Sequence, residues 1–382
     1  MEDIGLHNKL EITDREFHIH TGTLIEQQKI ISEVFEKGMF LISREIDMDL
    51  RSDNIKSFDY DFLNSVTQNF HQQVMDEIDA LYQIEEKLKK FRHPKSHYRL
   101  GVLFLKRNLY NEAIRQLKLA IELEEGFTKA LIGLGISYLK SGKFKESLET
   151  FESTVSQTNK YPDVINYHGL AHLFLGAYDK AMNLFKDAIQ LNPKYAECQF
   201  NLGIALYKSA LDGVKDPKAV AVPARVSIYL KEVQSLQRYH GIYWEKDFSQ
   251  LHELLKDNNH KIILPQLEQF QLKLVDIASE KDKVYEFYLR FLFGGRDIDS
   301  GIINMYQNSF ENNAKENKKY PDYWNDRGIF NLIKSRNLYL NAISEFEKAI
   351  ELSPKFNDAK QNLEKIKSND KGFMILLRAI LK

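Results

Sequence analysis

The sequence predicts a mainly α-helical fold, a solenoid of repeated helix–turn–helix units with a small β-hairpin-containing unit at its N-terminus. Four glycines stand 34 residues apart, at positions 101, 135, 169 and 203. A fixed period of this size indicates one supersecondary unit repeated along the chain. Upstream of the glycines, residues 39–48 alternate between apolar and polar side chains, as a half-buried β-strand does.

Small and large apolar residues recur at fixed offsets from each glycine. Small residues let two antiparallel helices approach closely, and large apolar residues fill the space between them. Pro94 and Pro162 each precede a glycine by seven residues and suit a first helical position, where a missing N–H removes no helix hydrogen bond. The recurring residues are Phe104, Ala113, Leu117 and Ala120; Tyr138, Ser147, Phe151 and Thr154; and His172, Ala181, Phe185, Ala188 and Pro193.

This pattern resembles the tetratricopeptide repeat, a helix–turn–helix unit. The resemblance implies a superhelix whose concave face is lined by the first helix of each repeat. At least three such units must stack to bury a stable core. The predicted segments are a β-rich N-terminal unit (1–56), a long amphipathic linking or capping helix (57–93), regular repeats (94–210), divergent helical hairpins (211–320), a C-terminal repeat with a capping helix (321–367) and an apolar tail (368–382).

The N-terminal unit is expected to hold two or three short strands, with Gly38 in the left-handed position of a hairpin turn. Because so few strands are not stable alone, the long helix that follows could cover them. That helix could instead pair with a second copy or cap the first repeat, and the capping role is favoured. One face of the last strand is expected to carry Phe40, Ile42, Ile46 and Met48, and the other Ser43, Glu45 and Asp47.

The repeat pattern breaks after Gly203 and returns at Gly328. Ala342, Phe346 and Ala349 arrive two residues late, which predicts a helical hairpin with a longer turn. Residues 357–367 are expected to form a capping helix. The apolar tail from Gly372 is expected either to dock on the last repeat or to form a homo-oligomer contact.

Composition limits the function classes. Of 382 residues, 43% are hydrophobic and 28% charged, and the net charge is −1, which gives no electrostatic case for nucleic acid binding. The single cysteine, Cys198, excludes a disulfide framework and is expected to be a buried, inert thiol. With neither a signal-peptide pattern nor an apolar run long enough to span a membrane, a cytoplasmic location is expected.

Candidate catalytic and metal-binding residues are few. His168 and His172 are four apart on one helix face, but no third ligand accompanies them and a packing role is expected. His18 and His20 share one face of a strand, and His7 is too unconstrained to complete a set. Since no recognisable nucleophile, acid–base pair or phosphate loop is present, neither an enzyme activity nor a cofactor nor a metal is predicted.

The resemblance places groove residues three before, one after and four after each glycine. A chaperone-type clamp for a C-terminal carboxylate is excluded, because Tyr98 and Val102 stand where it needs Lys and Asn. An apolar groove of this kind suits an amphipathic helix or an extended segment, unless the chain's own segments fill it. The residues are Tyr98, Val102, Leu105, Ile132, Ile136, Leu139, Asn166, Leu170, Leu173, Phe200, Ile204 and Tyr207.

The predicted function is that of a non-catalytic scaffold or adaptor that holds a segment of an unidentified protein partner in this groove. The alternative is a regulatory or sensor subunit whose β unit binds a small ligand or metal through His18 and His20.

Overall fold

The computed structural model describes residues 4–12, 14–48, 60–155, 161–213, 224–257, 259–276, 282–293, 303, 307, 321–355 and 357–367. The chain forms two compact units. One consists of Met1–Leu103 with Ser279–Lys382, and the other of Phe104–Ala278.

Helices make up most of the described chain, as the sequence predicts. None of those described has both the length and the apolar run that crossing a bilayer requires. The helices are α1 (Tyr60–Leu88), α2 (Pro94–Lys106), α3 (Tyr110–Leu123), α4 (Thr128–Lys140), α5 (Phe144–Val155), α6 (Pro162–Phe174), α7 (Tyr178–Leu191), α8 (Ala196–Asp212), α9 (Ala224–Gln234), α10 (Ile242–Leu254), α11 (His260–Leu274), α12 (Asp282–Phe293) and α13 (Pro321–Leu352).

In the unit Phe104–Ala278, the periodic glycines lie where two helices of one repeat meet. A Cβ atom added to Gly135 would stand 2.7 Å from the ring of Phe151, and one added to Gly169 would stand 2.6 Å from the ring of Phe185. Both rings are fully buried. The recurring glycine and aromatic therefore form one contact, in which the missing side chain makes room for the ring.

The fourth repeat continues this arrangement past the point where the sequence pattern breaks. A Cβ on Gly203 would lie 3.2 Å from the ring of Tyr229 in α9, which packs against α8. α8 continues to Asp212 and is longer than the first helices of the earlier repeats. The second helix of this repeat, α9, therefore begins later than the 34-residue period predicts.

Cys198 of α8 is fully buried, and its thiol donates a hydrogen bond to the Phe185 carbonyl, so the buried thiol is confirmed.

Gly169→Ala is expected to lower the free energy of unfolding by about 1–3 kcal/mol, because the new methyl group overpacks the buried ring of Phe185. Gly328→Ala is the matched control, since a Cβ there meets nothing within 4 Å. It should raise stability by about 0.5–1 kcal/mol through lower backbone entropy in the unfolded chain. Urea denaturation measures both, and a stabilising effect of Gly169→Ala would contradict the packing role of the glycines.

The N-terminal part of the other unit is an antiparallel sheet of β1 (Gly5–Ile12), β2 (Arg15–Leu24), β3 (Lys29–Glu36) and β4 (Met39–Asp47), in that order. The hairpin turn with Gly38 in the left-handed region is confirmed, and β1 is a strand that the sequence pattern did not reveal.

The expectation that Phe40 shares a face with Ile42 is wrong. A register shift pairs Val34 with Ile42 but Phe35 with Phe40, so the two side chains lie on opposite faces.

α1 packs against β1, β2 and β3 and also against α12. His71 bonds to the Thr21 hydroxyl at 2.7 Å and to the Asn8 side chain at 3.0 Å. The Tyr82 hydroxyl accepts a 2.6 Å hydrogen bond from Arg15. The helix therefore covers the sheet, one of the roles that the sequence allowed, whereas capping of the first repeat stays a prediction.

The C-terminal hairpin expected around Gly328 is not observed, because α13 is one continuous helix of 32 residues. Between Gly328 and Pro354 the sequence offers neither glycine nor proline to end a helix, and the extra polar residues continue it. Residues 357–367 are helical, as expected. The apolar tail and its oligomer contact lie outside the described residues.

Candidate functional site

The predicted groove residues lie on the first helices of the repeats, and all are buried except Ile132, which is partly exposed. In the unit Phe104–Ala278, α4, α6 and α8 form a surface that we call the first-helix face. α11 packs against α4 and α8, and Phe270 meets Phe200 edge to face at 6.0 Å. In the other unit, Tyr98 packs against Tyr285 of α12. Segments of the same chain therefore cover much of the predicted groove.

Polar groups of the first-helix face, together with Lys106 at the end of α2, bind the two residues that directly follow α11. Lys140 donates a 2.9 Å hydrogen bond from Nζ to the Val275 carbonyl, and the Tyr167 hydroxyl donates one of 2.6 Å to the Asp276 carbonyl. Lys106 forms a 2.7 Å ion pair with the Asp276 carboxylate. These contacts hold the segment that directly follows α11 against the repeats. Burial lowers the pKa of Lys140 to about 8, although the nearby Asp276 opposes that shift.

A chain of buried amides joins α6, α8 and α11. Asn201 donates to the Asn166 side chain at 2.9 Å and accepts a 2.9 Å hydrogen bond from Gln271, which is fully buried. Asn166 also donates to the Tyr195 hydroxyl at 3.3 Å. Of these residues, the sequence singled out Asn166 alone. The sequence feature that could have indicated the others is Gln271, which lies within the apolar helical stripe of Leu267, Phe270 and Leu274 and therefore needs a buried polar partner.

Glu197 of α8 joins a further segment to this face. Its side chain is buried, forms an ion pair with Arg238 and accepts a 2.7 Å hydrogen bond from the Tyr239 hydroxyl. Arg238 and Tyr239 belong to the short turn of 3-10 helix at Gln237–Tyr239. Burial, with the nearby carboxylate, raises the pKa of Tyr239.

A cavity of about 820 Å³ lies between the first-helix face and these covering segments. Predicted groove residues Leu105, Ile136, Asn166 and Leu170 contribute to its wall. So do aromatic side chains, among them Trp244. The charged lining residues are Lys106, Lys140, Lys194, Arg238 and Lys273 against Asp163, Glu197 and Asp276, a surplus of cations.

Two groups of residues in the described chain bring metal-ligand atoms within 4.8 Å of one another. One consists of Glu152, His168 and His172, so a third candidate ligand does accompany the two helical histidines. His168 is buried, and neither ring nitrogen has a hydrogen-bond partner. Burial, and secondarily His172, lowers the pKa of His168 to about 4, so the imidazole is neutral at pH 7.

The other group is His7, His18 and His20. His7 Nε2 lies 3.2 Å from His18 Nδ1, and the rings of His7 and His20 are 4.3 Å apart at their centroids. Burial, followed by repulsion from the other two histidines, lowers the pKa of His20. The expectation that His7 is too unconstrained to join the set is wrong, because β1 places it directly opposite His20.

Comparison with protein families finds two matches in the repeat region. Residues 94–127 match a model described as a tetratricopeptide repeat, and residues 169–209 match a model described as a TPR repeat. Among curated proteins, none matches this sequence significantly.

Solved structures that match part of this chain include a crystal structure of MamA, which is 20% identical, covers 44% of this chain and 95% of that one, and has a TM-score of 0.35. MamA 41-end from Desulfovibrio magneticus RS-1 is 17% identical, with coverages of 48% and 97% and a TM-score of 0.35. YrrB, a TPR protein with an unusual peptide-binding site, is 16% identical, with coverages of 55% and 97% and a TM-score of 0.31.

Proposed function

We propose that this tetratricopeptide repeat protein is a non-catalytic scaffold that binds a short segment of a protein partner in the cavity beside its first-helix face. The observation that carries the proposal is the cavity of about 820 Å³ with its lining of aromatic and cationic side chains. Repeats of this family are interaction modules, which supports the scaffold role. A cytoplasmic location belongs to the same proposal.

The covering segments favour a short guest, because α11 already packs against α4 and α8, where a long helix would have to lie. A few residues in extended conformation suit this space, with apolar side chains against the partly exposed Trp244 and an acidic group near Lys194. Affinity around micromolar, about 8 kcal/mol, is expected for one such segment.

A variant that tests this proposal must leave the buried apolar residues of the cavity wall unchanged. Ile136 is 1% and Leu170 0% exposed, so glutamate at either position would bury a charge and unfold the protein. Lys194 lines the cavity and is exposed. Lys194→Glu is therefore expected to reduce partner recovery from a native lysate by about tenfold or more, equivalent to ~1.4 kcal/mol, without changing the melting temperature.

Lys186→Glu is the matched control, because Lys186 is exposed on α7 and does not line the cavity. It should leave partner recovery at the wild-type level. Once the bound segment has been identified, Trp244 can report its binding by fluorescence. The variant Trp324→Phe leaves Trp244 as the single tryptophan of the chain, and its fluorescence should change when the segment binds. Equal partner recovery by both lysine variants would overturn the cavity as the binding site.

A further inference from the structure

The three histidines of the sheet lie on the face away from α1. Phe17 and Thr21 of β2 contact α1 through Tyr82 and His71, and alternation along the strand directs His18 and His20 to the opposite face. His7 is paired with His20 in the neighbouring strand β1 and shares that face. His7 and His20 are exposed and His18 is half-buried, so a solvent ion can reach all three.

The nitrogen positions match those of metal ligands. Zinc binds imidazole nitrogen at about 2.0–2.1 Å, so two ligands of a tetrahedral site are roughly 3.3 Å apart. His7 Nε2 and His18 Nδ1 are separated by 3.2 Å. A nitrogen of His20 lies within 4.8 Å of both, close enough for a side-chain rotation to complete the set.

His18 also has the outer-sphere partner that metal-binding histidines commonly have. Its Nε2 bonds to the Glu16 carboxylate at 2.7 Å, and Lys9 pairs with the other Glu16 oxygen at 2.7 Å. When Nε2–H donates to Glu16, Nδ1 carries the lone pair that faces His7. A carboxylate behind a ligating histidine fixes its tautomer and strengthens it as a ligand.

The group around His168 lacks this feature. Neither ring nitrogen of His168 has a hydrogen-bond partner. A metal on one nitrogen would leave the other N–H buried and unsatisfied, at a cost of about 1–3 kcal/mol. The sheet histidines are therefore the better donor set.

We propose that His7, His18 and His20 bind a divalent transition metal of the borderline class, with zinc as the reference ion, on the exposed face of the N-terminal sheet. Three neutral imidazoles suit zinc, copper and nickel, and disfavour magnesium and calcium, which prefer oxygen ligands. With three protein ligands, the fourth position is left to water or to a donor from another molecule. This site is independent of the proposed partner-binding cavity.

The test is calorimetric titration of the chelator-treated full chain with Zn²⁺ near neutral pH. Wild type should bind a single zinc ion with high affinity, while His7→Asn and His20→Asn should each lose measurable binding. Glu16→Gln should keep the stoichiometry and weaken affinity by about 10–100-fold. Melting curves of the metal-free variants confirm that these exposed substitutions leave the fold intact.

Two control variants make the result decisive. His240→Asn removes an exposed histidine outside the cluster and should bind zinc as wild type does. His172→Asn, in the group around His168, should likewise bind zinc as wild type does. Loss of zinc binding in His172→Asn would place the ion in the group around His168 and overturn the proposal. Absence of binding by wild type, or unchanged binding by His7→Asn, would overturn it as well.

Discussion

Replacing His168 by leucine is expected to stabilise the protein and to remove a large part of its sensitivity to acid. The other three repeats have leucine at this place, directly before the periodic glycine, at Leu100, Leu134 and Leu202. The buried imidazole of His168 has no hydrogen-bond partner on either nitrogen. An unsatisfied buried polar group costs about 1–3 kcal/mol, and His168→Leu should recover a gain of that order at neutral pH.

The acid effect follows from the lowered pKa of His168, about 4 in the folded protein against 6.5 as the ordinary value. As the pH falls from 6.5 towards 4, the unfolded chain takes up the proton first. The imidazole therefore costs stability progressively across that window, up to about 3 kcal/mol. Above about pH 7 the imidazole is neutral in both states, so the protonation-linked cost disappears and only the cost of the unsatisfied nitrogens is left.

Denaturation by urea at a series of pH values measures both effects. The difference in stability between His168→Leu and wild type should widen by about 3 kcal/mol between pH 6.5 and 4. His240→Leu makes the same substitution at an exposed position and should follow the wild-type curve. If His168→Leu and wild type gave parallel curves, the imidazole would be solvated or partnered in solution.

Asn201→Leu is expected to lower the free energy of unfolding by about 2–4 kcal/mol. It removes the donor to the buried Asn166 side-chain oxygen and the acceptor for the buried Gln271 amide, while Asn166 keeps its bond to Tyr195. It should also loosen α11, whose Gln271 loses its hydrogen bond to the first-helix face. Hydrogen exchange of the α11 amides should then accelerate while that of α7 stays slow. Adding Gln271→Leu to Asn201→Leu should restore part of the lost stability, because the buried amide of Gln271 that has no partner in the single variant is then removed.

Asn183→Leu is the matched control on the exposed side of α7, and its effect should stay within about 0.5 kcal/mol. Unchanged α11 exchange in Asn201→Leu would mean that the amide chain does not hold α11 in place, and that apolar contacts such as Phe200–Phe270 suffice.

Local periodicity predicts the middle repeats well because Gly135 and Gly169 each meet an aromatic ring sixteen residues later in their own unit. The contact between Gly169 and Phe185 joins residues of one hairpin and has a fixed sequence separation. Gly203 and Tyr229 make the same contact across a longer separation, which no fixed period describes. In the C-terminal segment the period is present but the glycine or proline that would end a helix is absent, so α13 is continuous.

The site is harder to predict because its contacts join residues far apart in sequence. Lys140 and Val275 meet across 135 positions, and nothing in the first helices indicates which later segment will cover them. His7 could be placed beside His20 only once β1 was recognised and its register fixed. A single bulge displaced Phe40 to the other face, since one extra residue reverses the alternation of a strand.

The contacts of Lys140, Tyr167 and Gln271 also bear on how tightly a small guest could be held. Because these groups already fix α11 against the repeats, the cavity walls lose their conformational freedom when the chain folds, not when a guest arrives. Each side chain immobilised on binding would otherwise cost about 0.5–1.5 kcal/mol. Preorganisation of this kind lets a segment of only a few residues reach a useful affinity, although it buries little surface.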